Sequence, residues 1–397
     1  MVEGWQKASI GEIGTVVTGT TPATASKNYY GGDIPFVAPG DLGNGLWVRS
    51  AEKTLTEEGF RAAKPLSEGA VLFTCIGATI GKAGIAARPL ATNQQINAVI
   101  CDPERANNLF IYYLLALRAE SIKRLAGAQA VPIVNKSTFE DVTAPLPPLP
   151  EQRKIAAILR TWDEALEKLT KLREAKKRRR VWFRTHLFTG KVRLPGFSGE
   201  WREVRLSEVL HEHRLKSSGA EEVYSVSVHK GLVNQIEHLG RSFSAASTEH
   251  YNRVLPGDVV YTKSPTGDFP LGIIKQSKID REVIVSPLYG VFTPRTDALG
   301  VILDALFESP VATKNYLRPL VQKGAKNTIA VTNSQFLEGK LRLPMDPEEQ
   351  AAIAEVVNTS NTELTLIDAE SEALTRQKRG LMQKLLTGQW RVNTGVA

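Results

Sequence analysis

Cysteine is nearly absent from this 397-residue chain. Cys75 and Cys101 are the only two, too few for a disulfide framework or a cysteine metal site and suited to a reducing cytosol. The six histidines show neither zinc spacing nor an adjacent ligand set; His211 and His213 read as solvated surface residues. No long apolar run is present. The least polar stretch, Ala70–Ala87, holds Lys82 and three glycines, so it reads as strands and turns and not as a membrane span. The first residues, MVEGWQKASIGEIG, lack the basic-then-apolar order of a secretory signal. Catalytic signatures are missing too. Gly77-Ala-Thr-Ile-Gly81-Lys82-Ala83 is one residue short of a phosphate loop and has Ala where a hydroxyl would hold magnesium, so a glycine-rich hairpin is the plainer account. No Gly-x-Gly-x-x-Gly follows a strand. No Asn/Asp-Pro-Pro-aromatic tetrapeptide, of the kind that holds a flipped adenine in amino-methyltransferases, occurs. These absences point away from an enzyme and towards a soluble cytoplasmic protein.

What the chain has is repetition. Glu151–Arg193 aligns without a gap to Glu349–Arg391, 198 residues later, with 13 of 43 positions identical. Each copy enters through Pro-Glu-Gln or Pro-Glu-Glu-Gln, carries an Ile-Ala pair (Ile155–Ala156, Ile353–Ala354) and closes on Leu-x-Thr-Gly at Leu187–Gly190 and Leu385–Gly388. Upstream, Trp5 and Glu12 match Trp201 and Glu208; Gly69, Thr74 and Gly84 match Gly257, Thr262 and Gly272. The period is too long for a solenoid and describes two whole modules.

Residues 1–145 alternate short strands (34–37, 70–75, 98–101) with Gly/Pro/Asn turns, and a surface helix is expected over 109–125, with its stripe at Ile111, Leu115, Ala119, Ile122 and Leu125. The second unit repeats this, with strands over 223–228, 258–262 and 283–291 and a helix over 300–317. Each unit ends in prolines, 145–150 and 344–347, which suit a helix entrance; a polyproline ligand is the rival reading of 145–150. The following segments carry a coiled-coil stripe: Ile155, Leu159, Trp162, Leu166 and Leu169 in the first, Ile353, Val357, Leu364, Ile367, Leu374 and Leu381 in the second, with Ser360 in the slot of Trp162. Chain connectivity favours an antiparallel pair, and about 37 residues give a ruler of roughly 55 Å. Trp162 reads as core more readily than as a stacking platform.

The net charge of +8 favours a polyanionic partner. Residues 153–184 carry twelve Lys/Arg against four Asp/Glu, while 351–382 carry three against five. A basic helix and an acidic twin suit pairing with each other. The run Lys176–Arg180 has three readings: a solvated face, a phosphate contact, or a dock for an acidic partner surface.

The segments Leu146-Pro-Pro-Leu-Pro-Glu-Gln152, Leu187-Phe-Thr-Gly190, Gly196-Phe-Ser-Gly-Glu-Trp201, Leu66-x-x-Gly69-x-Val71-Leu72 with Gly77, and Leu255-Pro-Gly257-Asp-Val-Val260 together resemble the specificity subunits of type I restriction–modification systems. The second copy departs at Met345-Asp-Pro-Glu-Glu, which suggests that the halves read different sequences. The resemblance implies an α+β chain with target-recognition domain 1 at 1–148, spacer helix 1 at 149–190, target-recognition domain 2 at 195–344 and spacer helix 2 at 345–390. The two helices would pair as an antiparallel coiled coil with pseudo-twofold symmetry. It implies a non-catalytic, sequence-specific subunit on double-stranded DNA with a bipartite target. Two methyltransferase subunits and restriction motor-nuclease subunits would be its partners; S-adenosylmethionine, ATP and magnesium would sit on them and none on this chain. A self-sufficient DNA methyltransferase or nuclease, and a coiled-coil scaffold with two protein-binding modules, are the competing readings. Base edges need amides or cations. The candidates are Thr79, Lys82, Asn93, Gln94, Gln95, Gln129, Asn135 and Lys136 in the first unit. In the second they are Lys263, Thr266, Lys323, Lys326, Asn327 and Asn333.

Overall fold

The structure is a computed structural model that describes residues 3–43, 45–127, 130–239, 248–323 and 329–394. It forms two compact units that cut across the sequential order: unit 1 is Met1–Thr170 with Ala369–Ala397, and unit 2 is Lys171–Asp368.

Unit 1 is built on a five-stranded sheet of β1 (Gly14–Thr18), β2 (Trp47–Val48), β3 (Val71–Thr74), β4 (Ala83–Ala86) and β5 (Ile96–Cys101), in the spatial order β1-β5-β3-β4-β2. β3 is buried on both faces, which is why it reads as an unbroken Val-Leu-Phe-Thr run. Val71 and Phe73 face one core; Leu72 faces another with Val37, Leu66 and Leu90. The helix α1 (Asn108–Lys123) covers the first face and is capped by Asn107, whose side chain accepts from Phe110 N. It is no surface helix at its start: Phe110, Ile111, Tyr113, Leu114 and Leu115 are all buried. Leu125, placed in its stripe from the sequence, lies beyond the helix and is exposed.

Unit 2 repeats the plan with β6 (Leu210–His211), β7 (Val259–Thr262), β8 (Ile273–Gln276) and β9 (Gly290–Pro294), in the order β6-β9-β7-β8. Read as equivalents, β6, β9, β7 and β8 follow the order of β1, β5, β3 and β4. In both units the strand just after the leading tryptophan pairs antiparallel with the strand before the long helix: Gln6↔Leu146 through Ser9↔Thr143, and Arg202↔Leu343 through Arg205↔Lys340. Two expectations fail here. The 283–291 strand is two, Val283–Val285 and β9, separated by a turn at Ser286–Tyr289. The 300–317 helix is also two, α3 (Asp297–Phe307) and Pro310–Leu317, because Ser309 caps a new helix and Pro310 cannot sit inside one.

The long helices are α2 (Leu149–His186) and α4 (Pro347–Leu386). The repeated Pro-Glu-Gln entrance is explained by buried side chains. In unit 1 the Gln152 Nε2 donates to Arg105 O and Pro147 O, and its Oε1 accepts from Asn107 N. In unit 2 Gln350 Nε2 donates to Pro344 O, and its Oε1 accepts from Thr296 Oγ1. The Leu-x-Thr-Gly exit is a glycine stop: Gly190 (φ +69°) and Gly388 (φ +73°) are left-handed, and Val192 N and Trp390 N reach back to His186 O and Lys384 O.

The apolar stripe is buried unevenly. Ile155 and Leu159 lie in the core of unit 1 beside Leu385 and Leu386, while Ile353 and Val357 lie in that of unit 2 beside Leu187 and Phe188. Trp162, Leu166, Leu169, Leu364 and Leu374 are half-buried and Ile367 is buried. The helix ends therefore belong to domain cores, which the heptad reading alone did not anticipate.

Candidate nucleic-acid interface

Each unit is locked by the same clasp. In unit 1 the guanidinium of Arg391 forks onto Glu151, Nε to Oε1 at 2.8 Å and Nη2 to Oε2 at 3.0 Å, and lies over the Trp5 ring. Trp5 Nε1 also donates to Glu151 at 3.1 Å. In unit 2 Arg193 forks onto Glu349 and lies over Trp201, whose Nε1 has no partner among the described residues.

In unit 1 four loops meet where β1 and β3 end and β4 and β5 begin. Cys75 N donates to Gln95 O, Gly77 N to Pro132 O and Val134 N to Cys75 O, at 2.8–2.9 Å. The 77–82 segment is the turn of the β3–β4 hairpin, closed by Thr74 N to Lys82 O, and not the strand-to-helix link of a phosphate loop. Asn93, Gln94 and Gln95 share this end. Asn93 Nδ2 donates to Gln95 Oε1 at 3.0 Å, and Gln94 Oε1 accepts from Thr21 Oγ1 at 2.6 Å. That orients the amides and leaves the Nε2 donors of Gln94 and Gln95 without a partner among the described residues. Thr79 is half-buried in the turn. Lys82 turns away, its Nζ donating to Pro39 O. Asn135 caps the short helix Lys136–Glu140, accepting from Thr138 N, and Lys136 pairs with Glu140 at 3.4 Å. Gln129 lies outside the described residues. The thiols take no part: burial pushes both Cys75 and Cys101 up to about 12.

The equivalent end of unit 2 has different chemistry. Lys263 follows β7, half-buried; desolvation lowers its pKa against the pull of nearby Glu212. Asn333, at the start of the helix Asn333–Glu338, donates Nδ2 to Glu212 Oε1 at 2.6 Å. Thr266 is exposed in the β7–β8 loop and pairs through its backbone with Phe269. Lys323 lies in the two-residue strand Gln322–Lys323, and Lys326 and Asn327 fall outside the described residues. Glu212 and Arg214 were not singled out in the sequence, where nothing but their place beside His213 marks them. His213 itself corrects the solvated reading: it is nearly buried, and its Nε2 donates to the fully buried Asp258 at 2.9 Å. Among the described residues no group of three or more His, Cys, Asp or Glu is placed to hold a metal, and no helix is long and apolar enough to cross a membrane.

Within unit 2 most of the basic run is paired with neighbouring carboxylates. Lys176 and Arg179 pair with Glu363, Lys177 with Glu174 and Arg180 with Glu308; only Arg178 has no carboxylate among the described residues. Next to it, Arg173 pairs with Asp368 at 2.5 Å. The acidic groups that the run docks are the chain's own. In unit 1 Asp163 plays the converse part, accepting from Lys378 and from Tyr113 Oη.

A model of the type I restriction modification DNA specificity domain matches residues 2–177. The chain is 34% identical over 176 residues to the type I restriction enzyme MjaIX specificity subunit of Methanocaldococcus jannaschii, covering 43% of this chain and 40% of that protein. Against the MjaVIII specificity subunit of the same organism it is 24% identical over 98% of this chain and 94% of the other. The HindI specificity subunit of Haemophilus influenzae is 30% identical over 43% of this chain and 39% of its own length. The chain thus spans about two fifths of two of these relatives and nearly all of the third. A solved type I restriction-modification S subunit from M. genitalium shares the fold at TM-score 0.58 and 16% identity, covering 96% of each chain. A chain from a type I system solved for its assembly and conformational transition gives 0.57 at 17% identity, over 98% of this chain and all of that one. The matched domain spans residues 2–177, and its sheet and clasp are repeated in the second half of the chain, so the likeness to specificity subunits of type I restriction–modification systems extends to the fold of both units.

Proposed function

We propose that this chain is the non-catalytic DNA reader of a type I restriction–modification complex. The observation that carries the reading is the repetition of one device: the same strand order, the same Trp-Glu-Arg clasp and the same loop-bearing sheet end occur in both units. Two target-recognition domains, 1–148 and 195–344, would each read one half of a bipartite double-stranded target through the loops at that end. Asn93, Gln94 and Gln95 are the leading base contacts in the first, and Lys263, Thr266 and Asn333 in the second. The spacer helices 149–190 and 345–390 would pair antiparallel about a pseudo-twofold axis and set an unread gap. Support comes from the reciprocal clasps: Arg193, past the end of α2, holds the start of α4, and Arg391, past the end of α4, holds the start of α2.

Two methyltransferase subunits would bring S-adenosylmethionine, and motor-nuclease subunits ATP and magnesium. The chain's own task is to place the target adenines. Mapping methylated adenine genome-wide with the gene intact and deleted tests this. One bipartite motif with a fixed gap should vanish on deletion; a continuous motif, or none, overturns the reading. Affinity for duplex should also fall steeply with salt, as phosphate contacts release counterions.

A further inference from the structure

The loop after β6 in unit 2 contains one exposed side chain built on a costly backbone. Arg214 is the only non-glycine residue with positive φ (+59°) among those described. L-residues rarely adopt this conformation, and it persists only where the surroundings enforce it. The enforcement is visible on both sides. His213 is pinned through Nε2 to Asp258, and its Nδ1 accepts from Leu215 N at 3.0 Å. Asp258 is in turn fixed by Leu255 N and Thr293 Oγ1, both at 2.7 Å. The buried network thus lifts the residue between His213 and Leu215 out of the sheet end, and that residue's side chain is 77% exposed.

The guanidinium is also oriented. Its Nε donates to Glu212 Oε2 at 3.3 Å, while Glu212 Oε1 accepts from Asn333 Nδ2. Asn333 cannot turn its amide over without facing oxygen to oxygen, so Glu212 stays put, and Lys263 nearby offsets its charge. The Nη1 and Nη2 donors of Arg214 have no partner among the described residues. A carboxylate near a polyanion is unfavourable in itself; here it ties one edge of a guanidinium and leaves the other edge free. Such a fork matches the O6 and N7 acceptors that only guanine presents side by side in the major groove. The corresponding end of β1 in unit 1 and the loop after it carry hydroxyls instead: Thr18, the last residue of the strand, donates to Asn97, and Thr21 donates to Gln94.

We infer that Arg214 is a specificity-determining residue that reads a guanine in the half-site of unit 2, with Glu212 and Asn333 as its positioning residues. The inference rests on the DNA-reading function proposed above and names the base chemistry of one of its two sites.

The experiment uses the full chain co-expressed with its methyltransferase subunits, with methylated motifs and binding to a randomised duplex pool as readouts. Arg214→Gly removes the fork and relieves the backbone, so misfolding does not confuse the result; Arg214→Lys keeps the charge without the fork. Both should lower the preference for guanine at one position of one half-site by about 5- to 150-fold and leave the other half unchanged. Glu212→Gln should shift preference at that same position and have no further effect on top of Arg214→Gly. Unchanged preference at every position overturns the inference, as does uniform weakening across all sequences, which marks a phosphate contact. If the unaltered complex selects no bipartite sequence, it is the function reading that falls.

Discussion

Removing the arginine of each clasp should affect the two units unequally. In unit 2 the Glu349 side chain is 2% exposed and Arg193 is its sole partner among the described residues. Arg193→Ala would strand a carboxylate in the core beside an indole N–H that does not reach it. Loss of one partner of a buried pair costs about 3–4 kcal/mol, or roughly 6–16 °C in a unit of this size. In unit 1 Arg391 is 46% exposed, and Trp5 Nε1 still donates to Glu151 when the guanidinium is gone. Solvent screening and that retained bond make the cost of Arg391→Ala clearly smaller than that of Arg193→Ala. Denaturation followed by hydrogen exchange, resolved by unit, reads the difference. Arg193→Met with Glu349→Leu should recover most of the loss, because replacing both members of a buried pair removes the unpaired charge. Equal effects of the two arginine changes, or a unit 2 midpoint within about 2 °C of the unaltered chain for Arg193→Ala, would refute this account of the clasp.

The ion pairs of unit 2 should make it acid-sensitive. The hydrogen bond from Lys176 lowers the Glu363 pKa and that from Arg173 lowers Asp368. Their stabilisation is fully present above the ordinary carboxylate range near 4 and is lost as pH falls through the lowered values, so thermal midpoints should drop only there and Glu363→Gln should flatten the drop. Ile155→Asp, at a fully buried position, should unfold unit 1, whereas Leu166→Asp, half-buried, should cost about 1–2 kcal/mol; similar melting of both would show the stripe misread. Four-residue insertions placed in α2 after Thr170 and in α4 after Asp368 should lengthen the unread gap of the methylated motif by one or two base pairs, from about 6 Å of added helix. Leu187 is unsuitable for this, since it lies in a domain core.

Much of the architecture was legible because it is written twice. The proline entrances and Leu-x-Thr-Gly exits mark helix ends by local chemistry, a missing N–H and a glycine stop, and local chemistry survives in sequence. The errors come from tertiary context. A run such as 283–291 is β-prone throughout, and only the turn at Ser286–Tyr289 divides it. The Pro310 break was readable in principle, since a serine before a proline announces a new helix, but an apolar period ran across it. In the site, Asn93–Gln95 stood out as adjacent amides, whereas Glu212 and Arg214 acquire meaning only through Asp258 and Asn333, 44 and 119 residues later than Arg214. His213 looked solvated for the same reason.

Unit 1 is closed by residues 369–397, which leave the ribosome roughly two hundred residues after the rest of it. Until then Ile155 and Leu159 lack Leu385 and Leu386, and Glu151 lacks Arg391. The first domain synthesised therefore stays incomplete until the second has been made. A message cut short, or a ribosome that stalls within unit 2, releases a chain whose first domain is still open and exposed to proteolysis. The order of synthesis thus ties the completion of unit 1 to the completion of unit 2.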